Sequence, residues 1–307
     1  MIAIRRKIRK MLFDVRRLMG MEAQAVLLGQ IRAEQIIAKP VIASLAEAEF
    51  RVFSQWGEDG ILSWLVDVIG PATNSFVEFG VEDYHESNTR FLLHARGWRG
   101  LVIDGSESNI SAIQADQIAY KHDLIARASF ITRENIAGLL HANGFGERIG
   151  ILSIDIDGVD YWVLEAIDAR CDIIVVEYND LFGVAPVSVP YDAAFVRLDQ
   201  HWSGMYWGAS LAAFRHLLEG RGYVFVGTNR AGTNAFFVDS AHAGKLGDRL
   251  EQKVSWPCRM REVRRQDGTL ALKTYAEAGQ QIAHLPLVNV ATGAAVRVAD
   301  ALAEGPP

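Results

Sequence analysis

Asp155 and Asp157 stand two residues apart in the apolar run GILSIDID (150–157), and Glu177 and Asn179 repeat that spacing in DIIVVEYN (172–179). On a strand, residues two apart share a face, so each pair aims two polar groups the same way. Carboxylates gathered in one place raise each other's pKa unless something positive sits among them. Two species suit: the cationic centre of a ligand, or a divalent cation held through oxygen, as Mg²⁺ prefers. A metal would lower the pKa of a bound substrate hydroxyl. Without one, Asp157, Glu177 or His201 is left to act as general base. Each also has a structural use. Asp157 suits the cap of a helix beginning near Val159, Glu177 suits an arginine partner, and His201 suits packing among aromatics.

A second acidic group lies upstream, in SFVEFGVEDYHESNTRFLLHARGWRGLVIDGS (75–106). SFVEF reads as a buried strand that stops at Gly80, Phe91, Leu92 and Ala95 mark a helix ended by Gly97, and GLVID is a second apolar strand. The result is one βαβ unit with Asp104 at the carboxyl end of its second strand, where an acid pairs with a ribose diol. A pyrophosphate site needs closely spaced glycines before the helix. This loop has one glycine, amid Glu78, Glu82, Asp83 and Glu86. It suits a nucleoside with a cationic centre and no phosphate, a description that S-adenosylmethionine meets with its sulfonium, ammonium and ribose. Glu78 and Gly80 then border the cofactor, and Asp104 accepts its ribose hydroxyls.

The elements that must position these groups follow in alternation. Ser54–Gly70 is predicted as a helix capped by Ser54, with Ile61, Leu62, Leu65 and Val68 as its buried stripe. After Asp104 come a helix over 110–120, a third strand over 128–132, a helix over 135–143, a fourth strand over 150–157, a helix over 159–167 and a fifth strand over 172–179. Such βα alternation with short connections implies a parallel sheet with right-handed crossovers. Residues 180–207 are rich in proline, glycine and aromatics, and long insertions at a ligand edge are usually functional. Tyr191, Trp202, Tyr206 and Trp207 there suit either stacking on a sugar face or the core of a folded lid. A helix over 208–220 and two strands, 223–228 and 234–238, joined by a tight turn, close the pattern. Asn229 and Asn234 sit in that hairpin as turn residues or substrate contacts. Asp267-Gly268 marks a further hairpin turn, and the LAEGPP end reads as disordered.

The segments VEFG, VIDGS, SIDIDGVDYWVLEAI, IIVVEYN, WGASL and GTNAFF, in this order, resemble the class I S-adenosylmethionine-dependent methyltransferases and, more narrowly, the FkbM-type family. The resemblance covers about residues 50–240. It implies a Rossmann-like, mostly parallel seven-stranded sheet with a final antiparallel hairpin, and O-methyl transfer to a hydroxyl, that of a sugar in a polysaccharide, glycolipid or glycosylated metabolite. In that strand order the fourth and fifth strands flank the first, which brings Asp155, Asp157, Glu177 and Asn179 together above the sheet. Gln55 and Asp155 then lie at the methionine end of the cofactor, and Thr132 or Asn135 near its adenine. Asp155, Asp157 and Glu177 are the ligand set for a Mg²⁺ ion, if one is used.

Length and charge narrow the class. With 307 residues, half of them hydrophobic, and a net charge of −6, the chain accommodates one ordinary domain with extensions, and the acidic balance argues against nucleic acid as partner. Cys171 and Cys258 have no metal-binding or disulfide spacing, so a reducing cytoplasm is the default. The first twenty residues place Ile4, Ile8, Met11, Val15 and Leu18 on one helical face and six Arg and Lys residues on the other. This amphipathic helix suits peripheral attachment to an anionic membrane face, an arm for homo-oligomerisation, or packing on the domain. The expected organisation is a helical N-terminal extension (1–50), a catalytic domain (51–240) with its substrate-side insert, and a C-terminal extension (241–307). Two rival readings stand beside methyl transfer. The DxD of SIDIDG is also how glycosyltransferases hold a metal on a nucleotide sugar, and a silent methyltransferase-like scaffold would keep the fold without the chemistry.

Overall fold

The computed structural model describes residues 20–303 and 305, so the basic stretch 1–19 and, in the LAEGPP tail, residues 304, 306 and 307 lie outside the described residues. Leu302 and Ala303 end a helix, Val298–Ala303, where disorder was expected. Five strands, β1 (Ser75–Phe79), β2 (Arg99–Asp104), β3 (Leu124–Ala128), β4 (Arg148–Ile154) and β5 (Arg170–Glu177), run parallel. A two-residue strand β6 (Val187–Ser188) follows, then β7 (Tyr223–Thr228) and β8 (Asn234–Asp239). The main sheet has the order β3-β2-β1-β4-β5-β8-β7, with β8 antiparallel to both of its neighbours. This is the Rossmann-like methyltransferase fold, as the sequence implied. The chain moves outward from β1 through β2 to β3, then crosses back to β4. Ligands of such sheets lie at that reversal, above the carboxyl ends of the strands.

The central strands are apolar on both faces because helices cover both. Val77, Phe79, Leu101, Ile103, Leu152 and Ile174 pack to one side, and Phe76, Val102, Ile151, Ile173 and Val175 to the other. The N-terminal helix Met21–Ile37 lies on the second side and closes tightly over the helix Arg90–Arg96: a Cβ at Gly29 would fall 2.6 Å from the Phe91 ring.

Several boundaries differ from expectation. The third strand is Leu124–Ala128 rather than 128–132, because Leu124–Ala128 take the ladder opposite Gly100–Asp104. Thr132 and Asn135 then satisfy their own loop: Asn135 Oδ1 accepts from the Thr132 amide at 2.9 Å and its Nδ2 donates to the Phe130 carbonyl at 2.9 Å. The helix expected from Ser54 begins at Glu58, with Gly57 as N-cap. Asp59 prevents an earlier start, since its Oδ2 gathers the amides of Val52, Phe53 and Ser54 into a loop. The helix over 110–120 is two, Glu107–Ala115 and Ile118–Lys121.

The C-terminal segment is woven into the domain. Strands β9 (Pro286–Asn289) and β10 (Ala295–Arg297) join β6 of the insert in a second antiparallel sheet, in the order β10-β9-β6. Upstream of them an extended strap ties the β7–β8 turn to the insert. The Arg259 amide donates to the Ala231 carbonyl at 2.9 Å, the Cys258 amide to Asp180 Oδ2 at 3.0 Å, and the Arg264 amide to the Ser203 carbonyl at 3.0 Å.

Candidate active site

A cleft of about 690 Å³ opens above the carboxyl ends of β1, β2, β4 and β5. Gly80 makes its floor possible. It follows β1 with φ of 72°, and a Cβ there would lie 1.6 Å from the Asp155 carbonyl oxygen, so the loops after β1 and β4 touch through backbone alone. Glu78, the residue two before Gly80, is buried and turns its oxygens to the loop: Oε2 accepts from Ser87 Oγ at 2.6 Å and from Thr89 Oγ1 at 2.5 Å, and Oε1 from the Asn88 amide at 2.8 Å. Burial raises its pKa and these donors oppose the rise. Glu78 borders the cleft, but its carboxylate is a clamp on the acidic loop.

Asp104 ends β2 and faces the same space. Its Oδ1 accepts from the Ser106 amide at 2.8 Å and Asn109 Nδ2 at 3.0 Å, and its Oδ2 from the Glu82 amide at 2.8 Å. Two carboxylate oxygens offer about four lone-pair sites, so these donors leave room on Oδ2 for one more. Past β3 the lining continues through Ser129, Phe130 and Ile131, and Phe130 keeps 50% of its surface exposed. Thr132 and Asn135 are not part of this wall, a correction that follows from the earlier end of β3.

Asp155, Asp157 and Glu177 each offer an oxygen within 4.8 Å of the other two. Asp155 and Asp157 lie in the turn past β4 rather than on the strand, and Asp157 takes a left-handed φ of 56°. Asp160 holds this turn by accepting from the amides of Ile156 at 2.8 Å and Gly158 at 2.9 Å. The helix Asp160–Glu165 has Val159 as its N-cap and no side-chain capping bond, so Asp157 does not cap it and instead meets the guanidinium of Arg197. Arg197 also donates through Nε to the Gly204 carbonyl at 2.6 Å and lies over the Trp207 ring. Burial, and then their acidic neighbours, push the pKa of Asp155 and Glu177 well above the carboxylate range; a hydrogen bond between the two and then Arg197 oppose this for Asp155, and Arg197 opposes it for Glu177. Glu177 Oε2 is buried with no hydrogen-bond partner.

Asn179 does not join them. Its side chain donates to the carbonyls of Met205 and Trp207 at 3.1 and 3.0 Å and accepts from the Leu181 amide at 3.1 Å, so it braces the insert. Gln55 lies on the cleft wall as expected. His201 does not: it shares a 2.7 Å hydrogen bond with Ser203 Oγ through Nδ1, and burial lowers its pKa, followed by the charge of His284. Nor do Tyr191, Trp202, Tyr206 and Trp207 line the cleft. Tyr206 and Trp207 are core residues, and the insert offers Phe195, Val196, Arg197 and Leu198 instead.

Sequence reading gave no site role to Phe130, Arg197 or the strap residues Met260, Glu262 and Arg264 that complete the wall. Phe130 fell inside the expected third strand, 128–132, so its place in the loop past β3 was hidden by that boundary. For the strap there was no signal, since it reaches the cleft from outside the βα pattern.

No family model matches the chain, and no curated protein matches it. Solved structures do. The N-terminal domain of EvdMO1 with SAH bound is 14% identical over 68% of this chain and 93% of that one, with a TM-score of 0.38. An S-adenosylmethionine-dependent methyltransferase from Clostridium acetobutylicum is 9% identical over 59% of this chain and 90% of its own (TM-score 0.38). An O-methyltransferase from Bacillus cereus in complex with SAH is 14% identical over 70% and 89% (TM-score 0.37). The strand order, rather than these likenesses, defines the class: a chain with the Rossmann-like methyltransferase fold, carrying an acidic cleft at its topological switch point.

Proposed function

We propose that this protein transfers a methyl group from S-adenosylmethionine to a hydroxyl, that of a sugar in a polysaccharide, glycolipid or glycosylated metabolite. The observation that carries the reading is Asp104: an acceptor-only carboxylate with one lone-pair site to spare, at the end of β2, beside a loop that holds acids where a phosphate site would hold glycines. The sugar and the narrower FkbM-type assignment rest on the six sequence segments.

The residues present suit the cofactor. Asp104 would accept from the ribose, Phe130 and Ile131 would flank the adenine, and Gln55 with Asp155 would face the methionine end. Glu78 and Gly80 shape the loop beneath. When bound, S-adenosylmethionine supplies an electrophilic methyl carbon. The chain's part is to hold a hydroxyl in line with that carbon, and such positioning accounts for most of the rate in displacements of this kind. Asp157 and Glu177 are the groups for this task, taking the hydroxyl proton directly or orienting the hydroxyl through a divalent cation. His201 lies off the cleft wall and has no part in this scheme. We place the basic stretch 1–20 at an anionic membrane face, which suits a lipid-linked acceptor.

The Asp155–Asp157 pair is the one feature that favours nucleotide-sugar chemistry, and calorimetry separates the two. Binding of S-adenosylhomocysteine but not UDP is expected. Binding of UDP alone would reject methyl transfer. Binding of S-adenosylhomocysteine without incorporation of labelled methyl into any glycan extract would leave a silent scaffold.

A further inference from the structure

Glu177 and Asn234 are direct partners across the antiparallel β5–β8 ladder and mark the end of the cleft away from Asp104 and Phe130. Asn234 is fixed there by its Nδ2, which donates to Glu58 Oε1 at 2.9 Å. The C-terminal strap, tied to Ala231 in the β7–β8 turn and to Ser203 of the insert, closes this end. It sets Met260, Glu262 and Arg264 on the cleft wall, with Val263 between them buried in the core. The turn beyond is braced: the Arg265 amide donates to the Thr269 carbonyl at 2.8 Å and the Ala271 amide to the Val263 carbonyl at 2.6 Å. Arg264 Nη2 donates to Glu262 Oε1 at 2.6 Å, and neither side chain makes another hydrogen bond among the described residues. Their side chains keep 35% and 41% of their surface exposed, and an ion pair so exposed is weak enough to open to a ligand.

A guanidinium only donates and a carboxylate only accepts. The pair therefore presents spare donors directly beside spare acceptors, and a ligand that answers it must do both. A hydroxyl gives one hydrogen and offers two lone pairs, so two hydroxyls on neighbouring carbons suffice: one donates to Glu262 while the other accepts from Arg264. Met260 alongside supplies a soft apolar surface for the C–H face of the ring that carries them. An anion fits poorly. Among the described residues that line the cleft, Arg197 and Arg264 are the only basic ones, and each is already paired with a carboxylate, Asp157 and Glu262. Of the other strap arginines, Arg261 donates to the Leu272 carbonyl and Arg265 to the Leu270 carbonyl. We infer that Met260, Glu262 and Arg264 form a subsite that selects an uncharged ring bearing a vicinal diol, at a part of the acceptor away from the hydroxyl that reacts. That the diol belongs to a methyl acceptor rests on the proposed methyl transfer; the diol subsite itself does not.

The test uses the fluorescently labelled full chain on an array of neutral and uronate-bearing glycans, printed in duplicate, with one copy treated with periodate to cleave vicinal diols. Wild type is expected to be retained by neutral glycans, to pass over those bearing uronates, and to lose retention on the periodate-treated copy. Arg264→Ala should weaken retention at least about tenfold. Glu262→Gln keeps the shape of the site but leaves the Arg264 charge unpaired, so it should gain the uronate-bearing glycans that wild type refuses, a change that simple damage to the strap would not produce. Thermal melts check that each variant is folded, and either variant alone decides the matter if the other does not fold. The subsite is overturned if wild type is retained by no glycan, if retention survives periodate, if wild type prefers uronates, or if the folded variants keep the wild-type strength and selectivity. Calorimetry with S-adenosylhomocysteine on wild type reports separately on the cofactor. Absence of that binding with diol-dependent retention intact would sink the methyl-transfer reading and leave the subsite standing; the reverse result would remove the subsite and leave methyl transfer.

Discussion

Asp104 combines two duties that a substitution would separate. Its carboxylate organises the turn after β2 by accepting from Ser106 and Asn109, and it tethers the loop after β1 through the Glu82 amide. Asp104→Ala is therefore expected to lower stability by about 1–3 kcal/mol, because those donors lose a buried acceptor. It should also weaken S-adenosylhomocysteine by about ten- to a hundredfold, the scale of a hydrogen bond to a charged group. Calorimetry below the melting temperature reads the second effect alone, and an unchanged affinity would remove Asp104 from the ribose. Phe130 offers a narrower probe. It is half-exposed on the cleft wall, with Asn135 holding its carbonyl from behind. Phe130→Ala should weaken S-adenosylhomocysteine by roughly threefold to tenfold, the worth of one aromatic contact, and leave the melting temperature within a degree or two. A large fall in stability with unchanged affinity would make Phe130 a packing residue instead.

At the scale of elements, the loop carrying Gln55 depends on the helix Arg90–Arg96. Phe53 stacks on the His94 ring with centroids 5.2 Å apart, and Glu22 of the N-terminal helix approaches His94 Nε2 at 3.6 Å. Burial, then the charge of Arg90, brings the pKa of His94 from 6.5 down to about 3. In the unfolded chain the imidazole takes a proton below 6.5, whereas the folded chain refuses it until about 3. The contribution of His94 to stability is thus fully present above 6.5 and is lost as pH falls toward 3. Between pH 6.5 and 5 the loss amounts to about 2 kcal/mol at 1.36 kcal/mol per unit. Urea unfolding at pH 7.5 and 5 should therefore show a larger fall for wild type than for His94→Phe, which keeps the stacked ring without titrating. Parallel falls would place the acid lability elsewhere.

Element scale is also where the sequence was most readable, because apolar periodicity reports burial. β1, β2, β5, β7 and β8 are legible as alternately filled faces, and Asp104 and Glu177 fall at strand ends as expected. What escaped was set by contacts remote along the chain. The true start of β3 depends on which residues pair with β2, and the start of the helix Glu58–Ile69 depends on Asp59 bonding backward. The aim of Asn234 depends on Glu58, which lies 176 residues away. Asp155 and Asp157 converge with Glu177 not because strand alternation puts them on one face, but because Asp160 bends the turn that follows β4.

For the whole molecule the open question is what the acidic domain does with its basic end. The net charge is −6, yet Arg5, Arg6, Lys7, Arg9, Lys10, Arg16 and Arg17 fall within the first twenty residues. No helix among the described residues is long and apolar enough to cross a membrane. The helix Met21–Ile37, which follows the basic stretch directly, leaves Leu27 and Leu28 56% and 66% exposed and Ile31 44% exposed. Each basic side chain near an anionic leaflet contributes about 1 kcal/mol, and such attraction is screened within about 8 Å at physiological salt. The full chain is therefore expected to sediment with vesicles containing phosphatidylserine and to leave them when NaCl is raised to several hundred millimolar. Deleting residues 1–20 should abolish sedimentation with no change in S-adenosylhomocysteine affinity, because the cleft lies in 55–264. If the shortened chain still sediments, Leu27, Leu28 and Ile31 carry the contact. If the full chain stays in solution and size-exclusion light scattering shows a dimer that deletion dissolves, the basic stretch is an oligomerisation arm and the lipid-linked acceptor loses its support.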